Sequence, residues 1–74
     1  MPKAYMTGNE YRKLLEALGL NVQESATFLR IHRSVVYRRI RGEVGVDFET
    51  AALLRLMVKL HITPEQVAKV VDKP

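Results

Sequence analysis

Seventy-four residues, 47% hydrophobic and 27% charged, describe one small folded domain, too apolar for a disordered tail and with little core to spare. Cysteine is absent, which excludes a disulfide scaffold and a thiolate metal site, so stability must come from good helix packing or from a partner chain. The 12 basic and 8 acidic residues are unevenly placed: the segment Arg30 to Arg41 holds five arginines and no carboxylate, and the remainder carries 7 basic against 8 acidic residues.

A local arginine cluster on a neutral body is an electrostatic footprint for a polyanion, nucleic acid above all; the plain alternative is a solvated surface helix. The most apolar region, Ala51 to Ile62, is broken by Arg55, Lys59 and His61. It is not expected to span a membrane, and the amino terminus lacks the apolar run of a signal peptide. A cytoplasmic protein is expected.

In chain order, Thr7-Gly8-Asn9-Glu10 reads as a capping box, in which the Thr hydroxyl bonds the Glu10 amide and the Glu10 carboxylate reaches back. Met6 and Tyr11 flank it as a hydrophobic staple. Tyr11, Leu14, Leu15 and Leu18 recur at helical spacing, and Gly19 supplies a left-handed terminator. Asn21-Val22-Gln23-Glu24 is a second capping box, opening a short helix with Val22, Ala26 and Leu29 on one face and Phe28 beside them. A turn follows at about Arg30-Ile31-His32.

The third helix runs from about Arg33 to Arg41, with Val36 and Ile40 one turn apart as its buried side, and Gly42 ends it. After the loop Glu43 to Val46, Asp47 caps a longer fourth helix whose expected apolar stripe is Phe48, Ala52, Leu53, Leu56, Met57 and Leu60. Thr63-Pro64-Glu65-Gln66 combines a capping box with proline at the first helical position. A fifth helix follows, expected to bury Val67, Val70 and Val71. No segment alternates with period two, so the chain is expected to be all helical.

Two short helices, Asn21–Arg30 and Arg33–Arg41, joined by a tight turn match a helix-turn-helix, the second being the arginine-rich one. In that motif the second helix lies in the major groove of DNA. With Val36 and Ile40 inward, Arg33, Ser34, Tyr37, Arg38 and Arg41 point outward.

The runs L-L-E-A-L-G-L (14–20), N-V-Q-E-S-A-T-F-L-R-I-H-R-S-V-V-Y-R-R-I-R-G (21–42) and the L-x-x-L-x-x-x-L-x-I-T-P-E ending (53–65) carry a resemblance. Across Leu14–Ile62 the chain resembles the Cro and phage-repressor type (XRE-like) helix-turn-helix family, with Gly19, Ala26, Leu29, Ile31, Val36 and Gly42 in register. The resemblance implies a five-helix lambda-repressor-like domain, sequence-specific binding to double-stranded DNA as a transcriptional regulator, usually a repressor, and a homodimer. It implies no cofactor. The chain departs from the family pattern at several positions. Asn21 replaces a Thr cap, and Val22 stands where a phosphate-binding Gln is usual, with Gln23 one place later. Arg30 replaces the turn glycine, so the turn is expected to be strained. His32 replaces a Ser cap, and Arg39 and Ile40 stand where Trp and Glu are common.

For the site, Arg33 and Arg38 are expected to reach base edges or to clamp phosphates. Ser34 is expected to hydrogen-bond either. Tyr37 has three readings: a thymine methyl, a phosphate, or packing on the helix. Arg41 is expected at the DNA backbone, His32 as a phosphate donor, and Gln23 as a displaced phosphate contact. Arg30 and Arg39 are left as solvated or paired with Glu24 or Glu43. The eight carboxylates are scattered, with no nucleophile–base pair and no phosphate loop, so catalysis is not expected.

Two rival readings share these helices: the DNA-binding antitoxin of a toxin–antitoxin pair, whose partner is a toxin, and a helix-turn-helix used only to bind another regulatory protein. The apolar excess of helices four and five suggests a shared surface in a homodimer, with some of Leu54, Val58, Val70 and Val71 packing across it.

Overall fold

In the computed structural model, which describes residues 4–72, each helix begins where the chain supplies an acceptor for free amides. The helices are α1 (Gly8–Ala17), α2 (Val22–Leu29), α3 (Arg33–Ile40), α4 (Phe48–Leu60) and α5 (Pro64–Asp72). The described residues are all-α, with five helices and no strand.

The capping boxes at α2 and α5 close reciprocally. Asn21 and Glu24 exchange bonds of 2.8 and 3.0 Å, and Thr63 and Gln66 do so at 3.1 and 2.8 Å. At α1 only half of the expected box forms. The Thr7 hydroxyl accepts from the Glu10 amide at 3.1 Å, but the Glu10 carboxylate turns to Arg55 on α4, 3.0 Å away. A guanidinium outcompetes a neutral amide for a carboxylate. Asp47 caps α4 by accepting from the Thr50 amide, and hydrogen bonding to Thr50, through its side chain first and its backbone second, holds the Asp47 carboxyl below the usual range.

The core forms where α1 meets α3 and α4, and where α2 packs on α3. Tyr11, Val36 and Leu54 are wholly buried, ringed by Met6, Leu15, Ala26, Val46 and Ala51. Buried Ser25 donates its hydroxyl to the Asn21 carbonyl at 2.7 Å, so no polar group is stranded there.

The turn between α2 and α3 carries the strain expected where its glycine is missing: Arg30 sits in the left-handed region at φ 57°, ψ 44°, and its amide donates back to Ala26 and Thr27. A non-glycine residue there costs about 1–2 kcal/mol, whereas glycine loses more backbone entropy on folding, about 0.5–1 kcal/mol. Arg30→Gly is therefore expected to stabilise the domain by about 0.5–1 kcal/mol. Urea denaturation checks this, and a net loss would assign more weight to the Arg30–Asp72 ion pair than its exposure suggests.

Two expectations are corrected. Of the stripe assigned to the fourth helix, only Met57 is buried; Phe48, Leu56 and Leu60 are 58%, 53% and 58% exposed, and Ala52 and Leu53 are half-buried. The inward side is Ala51, Leu54 and Met57, so Leu54, placed earlier at a dimer surface, belongs to the core. α4 is apolar on two sides, and periodicity is satisfied by either. Tertiary contacts choose between them. Arg55, bonded to Glu10 and to the Tyr5 carbonyl, ties one flank of α4 to the start of the chain.

The second correction is α5, which buries no residue completely: Val67 is half-buried, and Val70 and Val71 are 77% and 62% exposed. The first four helices already close the core, leaving α5 little to cover.

Candidate nucleic-acid interface

α3 is short and stands on two supports. At its start, His32 Nδ1 accepts from the Ser34 amide at 3.1 Å and lies 2.9 Å from the Ser34 hydroxyl. With Nδ1 occupied as an acceptor, the ring proton is left on Nε2 as an outward donor. Histidine thus serves as the cap of α3 in place of serine. At its end, α3 abuts the beginning of α1. A Cβ on Gly8 would lie 2.5 Å from the Arg39 carbonyl oxygen and closer still to that of Ile40, so only hydrogen fits.

These supports leave a clean division of the helix. At about 100° per residue, Arg33, Tyr37, Arg41, Ser34 and Arg38 follow one another around an arc of about 140°. All five are exposed, while Val36 is buried and Val35, Arg39 and Ile40 are half-buried. Among the sequence-derived candidates, these five and the capping His32 are brought together. Gln23 is not: it borders the groove between α2 and the start of α5, beside Phe28, Pro64 and Ala68.

The five arginines have different fates. Arg33 and Arg38 have no ion-pair or hydrogen-bond partner among the described residues. Arg41 chelates Glu43, Nε at 2.6 Å and Nη2 at 3.5 Å. That hydrogen bond raises the Arg41 pKa and lowers that of Glu43. Arg30 reaches Asp72 at 2.6 Å, with both side chains largely exposed. Surface pairs of this kind contribute little to stability and open readily.

Arg39 turns inward. Its guanidinium carbon lies 5.6 Å from the centre of the Tyr11 ring, Nη1 is 3.4 Å from the Tyr11 hydroxyl, and Nε is buried with no partner. The cation lies over the ring face between α3 and α1, a cation–π contact. Pairing with Glu24 or Glu43 is replaced for both Arg30 and Arg39; Arg30 remains largely exposed, whereas Arg39 is not simply solvated. Their partners lie 42 and 28 residues away, beyond any local signal. The Arg41–Glu43 pair, two residues apart, was open to sequence reasoning: it is the first carboxylate after the basic run.

No group of three His, Asp or Glu side chains that could hold a metal ion exists among the described residues. No described helix is long and apolar enough to cross a membrane. Comparison with family models, curated proteins and solved structures finds no match to this chain.

Proposed function

We propose that this chain is a double-stranded DNA-binding regulator in which α2 and α3 act as a helix-turn-helix of the lambda-repressor type and α3 enters the major groove. The observation that carries the reading is the arc of α3, with its two unpartnered arginines, one hydroxyl, one phenol and no carboxylate. The resemblance of residues 14–62 to the Cro and phage-repressor family, read from the sequence, points the same way.

An α-helix with its side chains is about 10–12 Å across, and the major groove is about 12 Å wide. The groove therefore accepts the exposed arc while the buried side of α3 stays on the domain. The planar forks of Arg33 and Arg38 suit guanine O6 and N7, or a phosphate. Tyr37 between them offers a ring for a thymine methyl or a hydroxyl for a phosphate. Arg41 exchanges the Glu43 carboxylate for a backbone phosphate, an exchange made cheap by the exposure of the pair.

Fluorescence anisotropy with duplex DNA across a salt series tests the reading. Each phosphate neutralised contributes about −0.9 to the log–log slope, and up to four arginines of the motif can do so, giving about −3 to −4 per protomer. A slope indistinguishable from zero overturns the reading.

A further inference from the structure

We infer that the trough between α5 and the α2–α4 pair receives a helix of a partner protein, apolar on one side and flanked by lysine or arginine. The trough has two parts. The wider, about 630 Å³, is floored by Phe28 and Leu29 of α2, Leu53 of α4, and Val67 and Ala68 of α5. The narrower, about 320 Å³, continues it toward Pro64, and the two parts share Thr27, Phe28 and Ala68. All five apolar floor residues are only half-buried. α5 thus stands off from the helices beneath it, and apolar surface on both walls lies open between them. Concave apolar surface of this kind marks a binding site.

The rim sets the charge of the occupant. Of the eight carboxylates in the chain, four line the trough: Glu24, Glu49, Glu65 and Asp72. The one cation among the lining residues is Arg30, already matched by Asp72. Glu24 is tied to the Asn21 amide. Glu49 and Glu65 have no ion-pair partner among the described residues, and they stand in different parts, Glu65 in the narrower and Glu49 in the wider. On a chain of net charge +4 this rim is negative, so it repels nucleic acid and attracts cations.

Shape narrows the class further. The trough is open along one side and follows α5, whose nine residues extend about 13 Å. Apolar side chains at i, i+4 and i+7 of a helix share one side of it and span about 10 Å. A short amphipathic helix therefore seats three anchors on the floor, while cations flanking its apolar side meet Glu65 and Glu49. A second copy of this chain does not offer its cationic arc of α3 for this role, because Tyr37 is the one apolar side chain on that arc. No residue of the trough belongs to the arc, so the inference goes beyond the DNA-binding reading and does not depend on it.

Selection of random peptides of about twelve residues, long enough for three helical turns, against the full chain is the test. The expected winners share apolar residues at i, i+4 and i+7, carry net positive charge, and shift the amide resonances of Phe28, Leu53 and Ala68 on binding. Glu49→Lys and Glu65→Lys should each raise the dissociation constant of a selected peptide about threefold to tenfold. Ala68→Gln, a good helix former that sets a polar amide on the floor, should raise it about tenfold or more. Circular dichroism and melting of the three variants should stay unchanged. Failure to enrich any peptide, winners without positive charge, resonance shifts elsewhere, or affinity indifferent to Ala68→Gln would overturn the inference. So would self-association that shields the trough, by giving it to a second copy.

Discussion

Gly8→Ala is expected to destabilise the domain by about 1–3 kcal/mol, the range for forcing a methyl group into a filled space. The sign is the informative part. Gly8 lies in α1 without a positive φ, and in an open helix the same change stabilises by about 0.5–1 kcal/mol. Here the added carbon meets carbonyl oxygens of Arg39 and Ile40, which are backbone atoms and cannot swing aside as a side chain would. Relief requires moving the end of α3 away from α1, which also loosens Arg39 from Tyr11. Denaturant titration of the purified variant gives the answer, and a more stable protein would mean that α3 does not rest on α1 in this way.

Arg33→Ala combined with Arg38→Ala is expected to remove recognition of a preferred duplex. If both forks read bases, each substitution costs about 1–3 kcal/mol, and the two add because they address different levels of the groove. Loss of one to four orders of magnitude in affinity is then confined to the preferred site, as selected from random duplexes, with weaker effects on unrelated DNA. If both clamp phosphates, every duplex weakens alike and the salt slope loses about one unit per arginine. The double variant keeps its fold in either case, since neither side chain touches another described residue through an ion pair. Unchanged binding to every duplex would move the interface off α3.

Helix starts were the most legible feature of the sequence, because a cap is a local bargain among four residues: Thr7, Asn21, Asp47 and Thr63 all accept the expected amide, although Glu10 leaves its half of the box at α1 for Arg55. The outward arc of α3 was legible for the same reason, once Val36 was taken as inward. Rotation of α4 was not. Phe48-Ala52-Leu56-Leu60 and Ala51-Leu54-Met57 are both respectable apolar faces, and the choice is made by packing in the core that α4 shares with Tyr11, Leu15 and Val36, far away in sequence. α5 misled because an apolar helix with a strong start was read as a packed one; Val70 and Val71 have nothing left to cover. Within the site, sequence placed the arginines in one segment but could not distribute their partners. Asp72 and Tyr11 reach Arg30 and Arg39 only through the tertiary fold.

That distribution makes the charge of this surface depend on the distance from which it is felt. Arg30 with Asp72 and Arg41 with Glu43 are, from afar, small dipoles whose fields fade quickly in salt water. Arg39, although half-buried against Tyr11, still adds charge behind the arc. An approaching polyanion is therefore drawn by three charges, those of Arg33, Arg38 and Arg39. At contact the accounting changes: Arg39, half-buried, stays against Tyr11, while the paired Arg30 and Arg41 can release their carboxylates and join Arg33 and Arg38. The residues that govern the rate of approach and those that hold the arrived partner overlap without being the same set.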